Sequence, residues 1–152
     1  MTTPISSLRT GHVGLGVTDL DRSLAFYRDA LGFTVLGEGK EEGRRFAFLG
    51  RDGELLLTLW QQAGEGYDPA TAGLHHLAFS AGAIEEVREY EARLRGLGVD
   101  FAYEGVVAHG EGAASGGIFF HDPDGIRLEI SVPAGAEGAP APTASAPTCG
   151  FF

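Results

Sequence analysis

The 152-residue chain carries 21 acidic and 11 basic side chains, a net charge of −10, with 43% hydrophobic and 21% charged residues, proportions that suit one soluble domain able to bury a core. A single lysine, Lys40, leaves no basic stripe for a phosphate backbone, which argues against nucleic acid as a partner. No apolar run is long enough to span a bilayer, and the opening MTTPISSLRTGH lacks a signal-peptide pattern, so a cytoplasmic protein without membrane contact is expected.

The first element is GHVGLGV at 11–17, an alternating stretch read as a strand. Val13, Leu15 and Val17 form its bulky face, and His12, Gly14 and Gly16 the other. A helical pattern follows, with Leu20, Leu24, Tyr27 and Leu31 on one face and Gly32 as its stop. Three strands are expected next, at about 33–39, 44–50 and 54–61, with RDG at 51–53 as a turn. The same order then returns. HHLAFSA at 75–81 reads as the strand, Ile84, Val87, Tyr90, Leu94 and Leu97 as the helix face, and Gly98 as its stop. Strands at about 100–107, 115–121 and 126–132 complete the second half, with DPDG at 122–125 turning the last pair. The reading is an α+β fold of two βαβββ modules, about 10–62 and about 73–133, within one domain spanning 1–133.

After Pro133 the composition shifts to Ala, Pro, Gly, Ser and Thr, and 134–152 is expected to be a flexible tail. Its two last residues, Phe151 and Phe152, are aromatics able to dock on an apolar groove. The single cysteine, Cys149, excludes an internal disulfide. CGFF has the outline of a prenylation box, but no basic residues precede it, and a frayed end is the reading adopted.

HHLAFSA sets two histidines side by side, and neighbours on a strand point to opposite faces. His76 shares its parity with Ala78 and Ser80, as His12 does with Gly14 and Gly16. Both imidazoles therefore stand beside small residues on the face turned away from the helix, while His75 falls on the other parity. In GIRLEIS, Leu128, Ile130 and Val132 take the bulky face, which sends Glu129 to the open one. A carboxylate in the middle of an apolar strand calls for a partner or a cation. His12, His76 and Glu129 are the expected metal ligands, three donors that leave positions for substrate or water.

HVGLGVTDLDRSLAFYRDALGF, HHLAFSA and FFHDPDGIRLEI together resemble the vicinal-oxygen-chelate superfamily over residues 11–132. That superfamily includes glyoxalase I, fosfomycin-resistance and bleomycin-resistance proteins and extradiol dioxygenases. The resemblance implies paired βαβββ modules forming a cupped mixed sheet, and a two-fold homodimer that in some members shares its metal site between subunits. It also implies a divalent metal at His12, His76 and Glu129, with Fe(II) the first expectation and Zn(II), Mn(II) and Ni(II) the others.

Departures from the relatives narrow the chemistry. Glyoxalase I places a carboxylate, both ligand and base, where this chain has Leu56 or Leu57, so glyoxalase chemistry is not expected. Methylmalonyl-CoA epimerases use a Gln there, and Gln61 sits too far along the strand to match. Fosfomycin-resistance proteins surround a phosphonate with cationic and hydroxyl groups, whereas VVAHGEGAASGG at 106–117 offers only His109 as a potential cation. Extradiol dioxygenases often carry a Tyr where Phe119 stands. His109 is the candidate catalytic acid-base group, with His121 weighed beside it, and Trp60 and Phe119 are the candidate substrate-binding walls. The expected function is a divalent-metal enzyme, dioxygenase-like or lyase-like, acting on a small substrate with two adjacent oxygens. The alternative is a bleomycin-resistance-type protein that sequesters a basic drug without catalysis, which the chain's acidity would suit.

Overall fold

Asp19 starts the first helix, its Oδ1 accepting the Arg22 backbone N–H at 3.2 Å. This computed structural model describes residues 2–3, 5–143 and 145–150, so Phe151 and Phe152 lie outside the described residues. The chain forms two compact units, residues 1–64 and 65–152. In the first, strand β1 (Val13–Val17) is followed by helix α1 (Leu20–Leu24), which widens into a π-helical segment at Ala25–Ala30. Strands β2 (Thr34–Glu41), β3 (Arg44–Arg51) and β4 (Glu54–Gln61) complete it, in the sheet order β1-β4-β3-β2. β1 runs parallel to β4, and the other pairs are antiparallel. Gly32, at φ +80°, ends the helix as the Phe33 N–H returns to the Tyr27 carbonyl. Both hairpins turn on residue pairs with positive φ, Glu42-Gly43 and Asp52-Gly53, which match the twist of the strands they join.

Alternation sorts the faces of this sheet as the sequence requires. Leu15 and Val17 are buried while Gly14 and Gly16 are exposed. Leu20, Leu24 and Tyr27 of the helical segment are buried together with Leu49, Leu57 and Leu59 of the sheet. Each such side chain contributes about 1.5–3 kcal/mol by leaving water.

Residues 65–152 repeat the plan with β5 (Leu77–Ser80), α2 (Ile84–Gly96), β6 (Val107–Ala108), β7 (Gly116–His121) and β8 (Arg127–Val132), in the order β5-β8-β7-β6. β5 is parallel to β8. The βαβββ order therefore occurs twice. Asp122 sets the last hairpin, its Oδ1 accepting the backbone N–H groups of Asp124 and Ile126 at 2.8 Å each. The strand expected at 100–107 is reduced to β6 and a single bridge, Phe101 to Phe120. Gly105, at φ +67°, turns the backbone out of register between them.

Described residues of the Ala/Pro-rich segment after Pro133 bond to the β6 edge. The Ala108 N–H donates to the Pro140 carbonyl, and the Thr148 N–H to the His109 carbonyl, each at 2.9 Å. The Thr148 hydroxyl donates to the Ala108 carbonyl at 2.5 Å, and the Tyr103 hydroxyl donates to the Thr148 carbonyl at 3.0 Å. A two-residue edge strand leaves backbone groups that need partners, and composition alone does not register bonds made through the main chain. Thr148 is fully buried. Thr148→Val is expected to lower unfolding free energy by about 1–2 kcal/mol, because the Ala108 carbonyl loses its donor. Urea denaturation of the two chains measures this, and an unchanged midpoint would show that the Thr148 hydroxyl contributes nothing.

Candidate functional site

Strand register gathers the second unit's chemistry around Glu129. Leu128 and Ile130 pair across the sheet with Leu77 and Phe79 on one side and Phe120 and Ile118 on the other. That row is the apolar face, and Val87 and Leu94 of α2, which contacts β7 and β8, are fully buried. Glu129 belongs to the opposite face, in a row with Ala78 and Phe119. It is only 3% exposed. Phe119 is fully buried, with the Tyr103 ring edge-on at 5.5 Å, so it forms a wall beside the carboxylate and not an open platform.

His76 comes just before β5, which begins at Leu77 and not at residue 75. Strand alternation therefore does not reach the histidine pair. The two rings, expected on opposite faces, touch instead, with Nδ1 to Nδ1 at 2.8 Å and the planes 79° apart. His76 is half-buried and His75 exposed. Burial pushes the His76 imidazole below its ordinary pKa, opposed by the Glu129 charge and reinforced by those of His75 and Arg127. The neutral ring this favours is the form that binds metals.

His109, expected as an acid-base group, is hydrogen-bonded at both nitrogens. Its Nε2 lies 3.0 Å from Glu129 Oε1, and its Nδ1 lies 2.9 Å from Ser115 Oγ. His121, weighed beside it, faces Asp100 instead, with Nδ1 to Oδ2 at 3.4 Å.

In the first unit, His12 is exposed and directly precedes β1. The parallel register opens with Val13 opposite Leu57, which brings position 56 of β4 level with His12. Leu56 there can neither bind a metal nor carry a proton. Trp60 is 38% exposed, stacks on Phe46 at 5.2 Å, and donates its indole N–H to the Thr58 hydroxyl at 2.9 Å. Phe46 and Trp60 also line a cavity of about 280 Å³ with Glu41, Glu42, Arg44 and Arg45. The Gln61 side-chain carbonyl accepts the Leu20 N–H at 2.7 Å, so that residue caps the helix. Among the described residues, no group of three or more His, Cys, Asp or Glu side chains is arranged to hold a metal ion. No helix among them is long and apolar enough to cross a membrane.

Two residues near Glu129 were not singled out from the sequence. Arg127 is 6% exposed, and the alternation that placed Glu129 could have found it two positions earlier. Ser115 lies in a glycine-rich loop, where no periodicity identifies a partner.

Residues 9–130 match the family model described as the Glyoxalase/Bleomycin resistance protein/Dioxygenase superfamily. The catechol-2,3-dioxygenase of Bacillus subtilis (strain 168) is 29% identical over 133 residues, 86% of this chain, which spans 43% of that longer protein. The lactoylglutathione lyase of Salmonella typhimurium is 34% identical over 133 residues, covering 81% of this chain and 91% of that one. The solved structure of a glyoxylase/bleomycin resistance protein/dioxygenase domain from Frankia sp. EAN1pec has a TM-score of 0.73 at 28% identity, covering 84% of this chain and 99% of that one.

Proposed function

Because the chain belongs to the Glyoxalase/Bleomycin resistance protein/Dioxygenase superfamily, we propose that it is a divalent-metal enzyme acting on a small substrate with two adjacent oxygens. Its ligands are His12, His76 and Glu129, and its reaction is dioxygenase-like or lyase-like. The observation that carries this reading is the burial of Glu129. An ionised carboxylate is costly to remove from water, and a bound cation offsets that cost. Imidazole and carboxylate donors fit Fe(II), Mn(II), Ni(II) or Zn(II), and Fe(II) is our assignment. When bound, the metal supplies charge that stabilises developing negative charge on two neighbouring substrate oxygens.

The chain's own residues do the rest. Phe119 keeps water from one side of Glu129, and His75 orients His76, a candidate metal holder, through its Nδ1. Trp60 is assigned as a wall for the substrate's organic part. With Leu56 level with His12, no carboxylate base stands there for a glyoxalase-type isomerisation. The catechol-2,3-dioxygenase among the relatives supports the dioxygenase-like reading. Two chains are assigned to a two-fold dimer, for which light scattering should give twice the mass of one chain.

Chain loaded anaerobically with Fe(II) is expected to retain about one metal ion per subunit by elemental analysis. His76→Ala should remove it, whereas His75→Ala, which loses only an orienting contact, should weaken affinity by roughly 10-fold or less. Oxygen uptake by the loaded chain, screened against catechols, then tests the dioxygenase-like reaction. No retained metal, together with tight metal-independent binding of a cationic aromatic drug, would overturn the enzyme reading in favour of sequestration.

A further inference from the structure

We propose that Ser115 and His109 are a positioning pair for Glu129, fixing the carboxylate that would hold the metal. This rests on the metal reading above. An ionised carboxylate only accepts hydrogen bonds, so at 3.0 Å from Glu129 Oε1 the His109 Nε2 must carry the proton. The other ring nitrogen, Nδ1, lies 2.9 Å from the Ser115 hydroxyl, which can donate or accept and so partners it. Both ring nitrogens of His109 then have a partner, and the serine anchors the ring from the side opposite the carboxylate.

The surrounding backbone holds this arrangement in place. The His109 N–H donates to the Ser115 carbonyl at 2.9 Å, closing the loop between them, and the His109 carbonyl accepts the Thr148 N–H. The imidazole also lies edge-on to the buried Phe119 ring, with centroids 6.3 Å apart. A histidine on a glycine-rich loop would ordinarily sample many orientations. Here the loop closure, the C-terminal strap and the aromatic wall confine it. Groups that hold a ligating carboxylate or imidazole from behind affect metal affinity by roughly 10–100-fold when removed.

The test uses the full chain titrated calorimetrically with Mn(II), and the absorption spectrum of the Co(II)-loaded chain. His109→Leu should weaken Mn(II) binding about 10–100-fold, and Ser115→Ala about 10-fold, each with a shifted Co(II) band. His109→Gln, whose amide N–H can still reach Oε1, should recover most of the affinity and the original band. Thermal unfolding of each metal-free variant separates loss of fold from loss of positioning. Should His109→Leu not fold, the milder Ser115→Ala carries the test. Variants that fold and keep unaltered Mn(II) affinity and Co(II) spectrum would overturn the positioning role. An unaltered chain that binds no Mn(II) at all would sink the metal reading first, and the pair with it.

Discussion

Glu129→Gln is expected to abolish measurable divalent-metal binding while leaving the fold intact. The amide has the same shape, and its oxygen still accepts the His109 Nε2–H that now holds Oε1. What it lacks is the negative charge that draws a cation. The loss should exceed the roughly 10–100-fold typical of removing a group that merely supports a ligand. Stability should move the other way. Glu129 is 3% exposed, so removing a buried charge relieves a desolvation cost in the metal-free chain. The metal-free variant should therefore unfold at the same temperature as the parent, or higher. Addition of Mn(II) at a hundred times its dissociation constant should stabilise the parent by about 2.7 kcal/mol and leave the variant unmoved. Thermal unfolding with and without Mn(II) reads both effects. Equal stabilisation of the two chains would remove Glu129 from the metal site.

Gly117→Ala should be the most damaging single-methyl change in the second unit. Gly117 lies in β7 opposite Ser131, and an added Cβ would land inside the contact radius of the Ile130 carbonyl oxygen, 2.7 Å from the Ser131 Cα. These are backbone atoms of the central strand β8, so no side-chain rotation can make room. The cost is expected to be about 3 kcal/mol or more, the upper end of what overpacking produces. Because β8 also carries Glu129, metal affinity should fall with stability. Gly110→Ala is the matched control, since its added Cβ meets nothing within 4 Å. Urea midpoints of the two variants test the contrast, and near-equal values would mean the strands part without penalty.

The modules were legible because each announces itself by local pattern. Val13, Leu15 and Val17, and later Leu128, Ile130 and Val132, state a two-residue period, and Gly32 and Gly98 stop helices at positive φ as their positions suggest. Glu129's face was readable for the same reason. The histidine pair was less so, because alternation applies only inside a strand and β5 starts one residue after His76. His109 presented a different difficulty. Its bond to Glu129 spans 20 residues, and its bond to Ser115 crosses a loop. Such contacts are set by tertiary packing, which leaves no period behind. The strap was hidden because much of its attachment runs through backbone groups of Ala108, His109 and Pro140, to which a compositional reading is blind.

That strap has a practical side. Cys149 is the only thiol in the chain and is partly exposed, one residue beyond Thr148. A dye or spin label attached there would ride on the segment that grips the backbone of His109 and so report on it directly. The position is unique in the whole sequence, and none of the candidate site's own side chains has to be altered to use it.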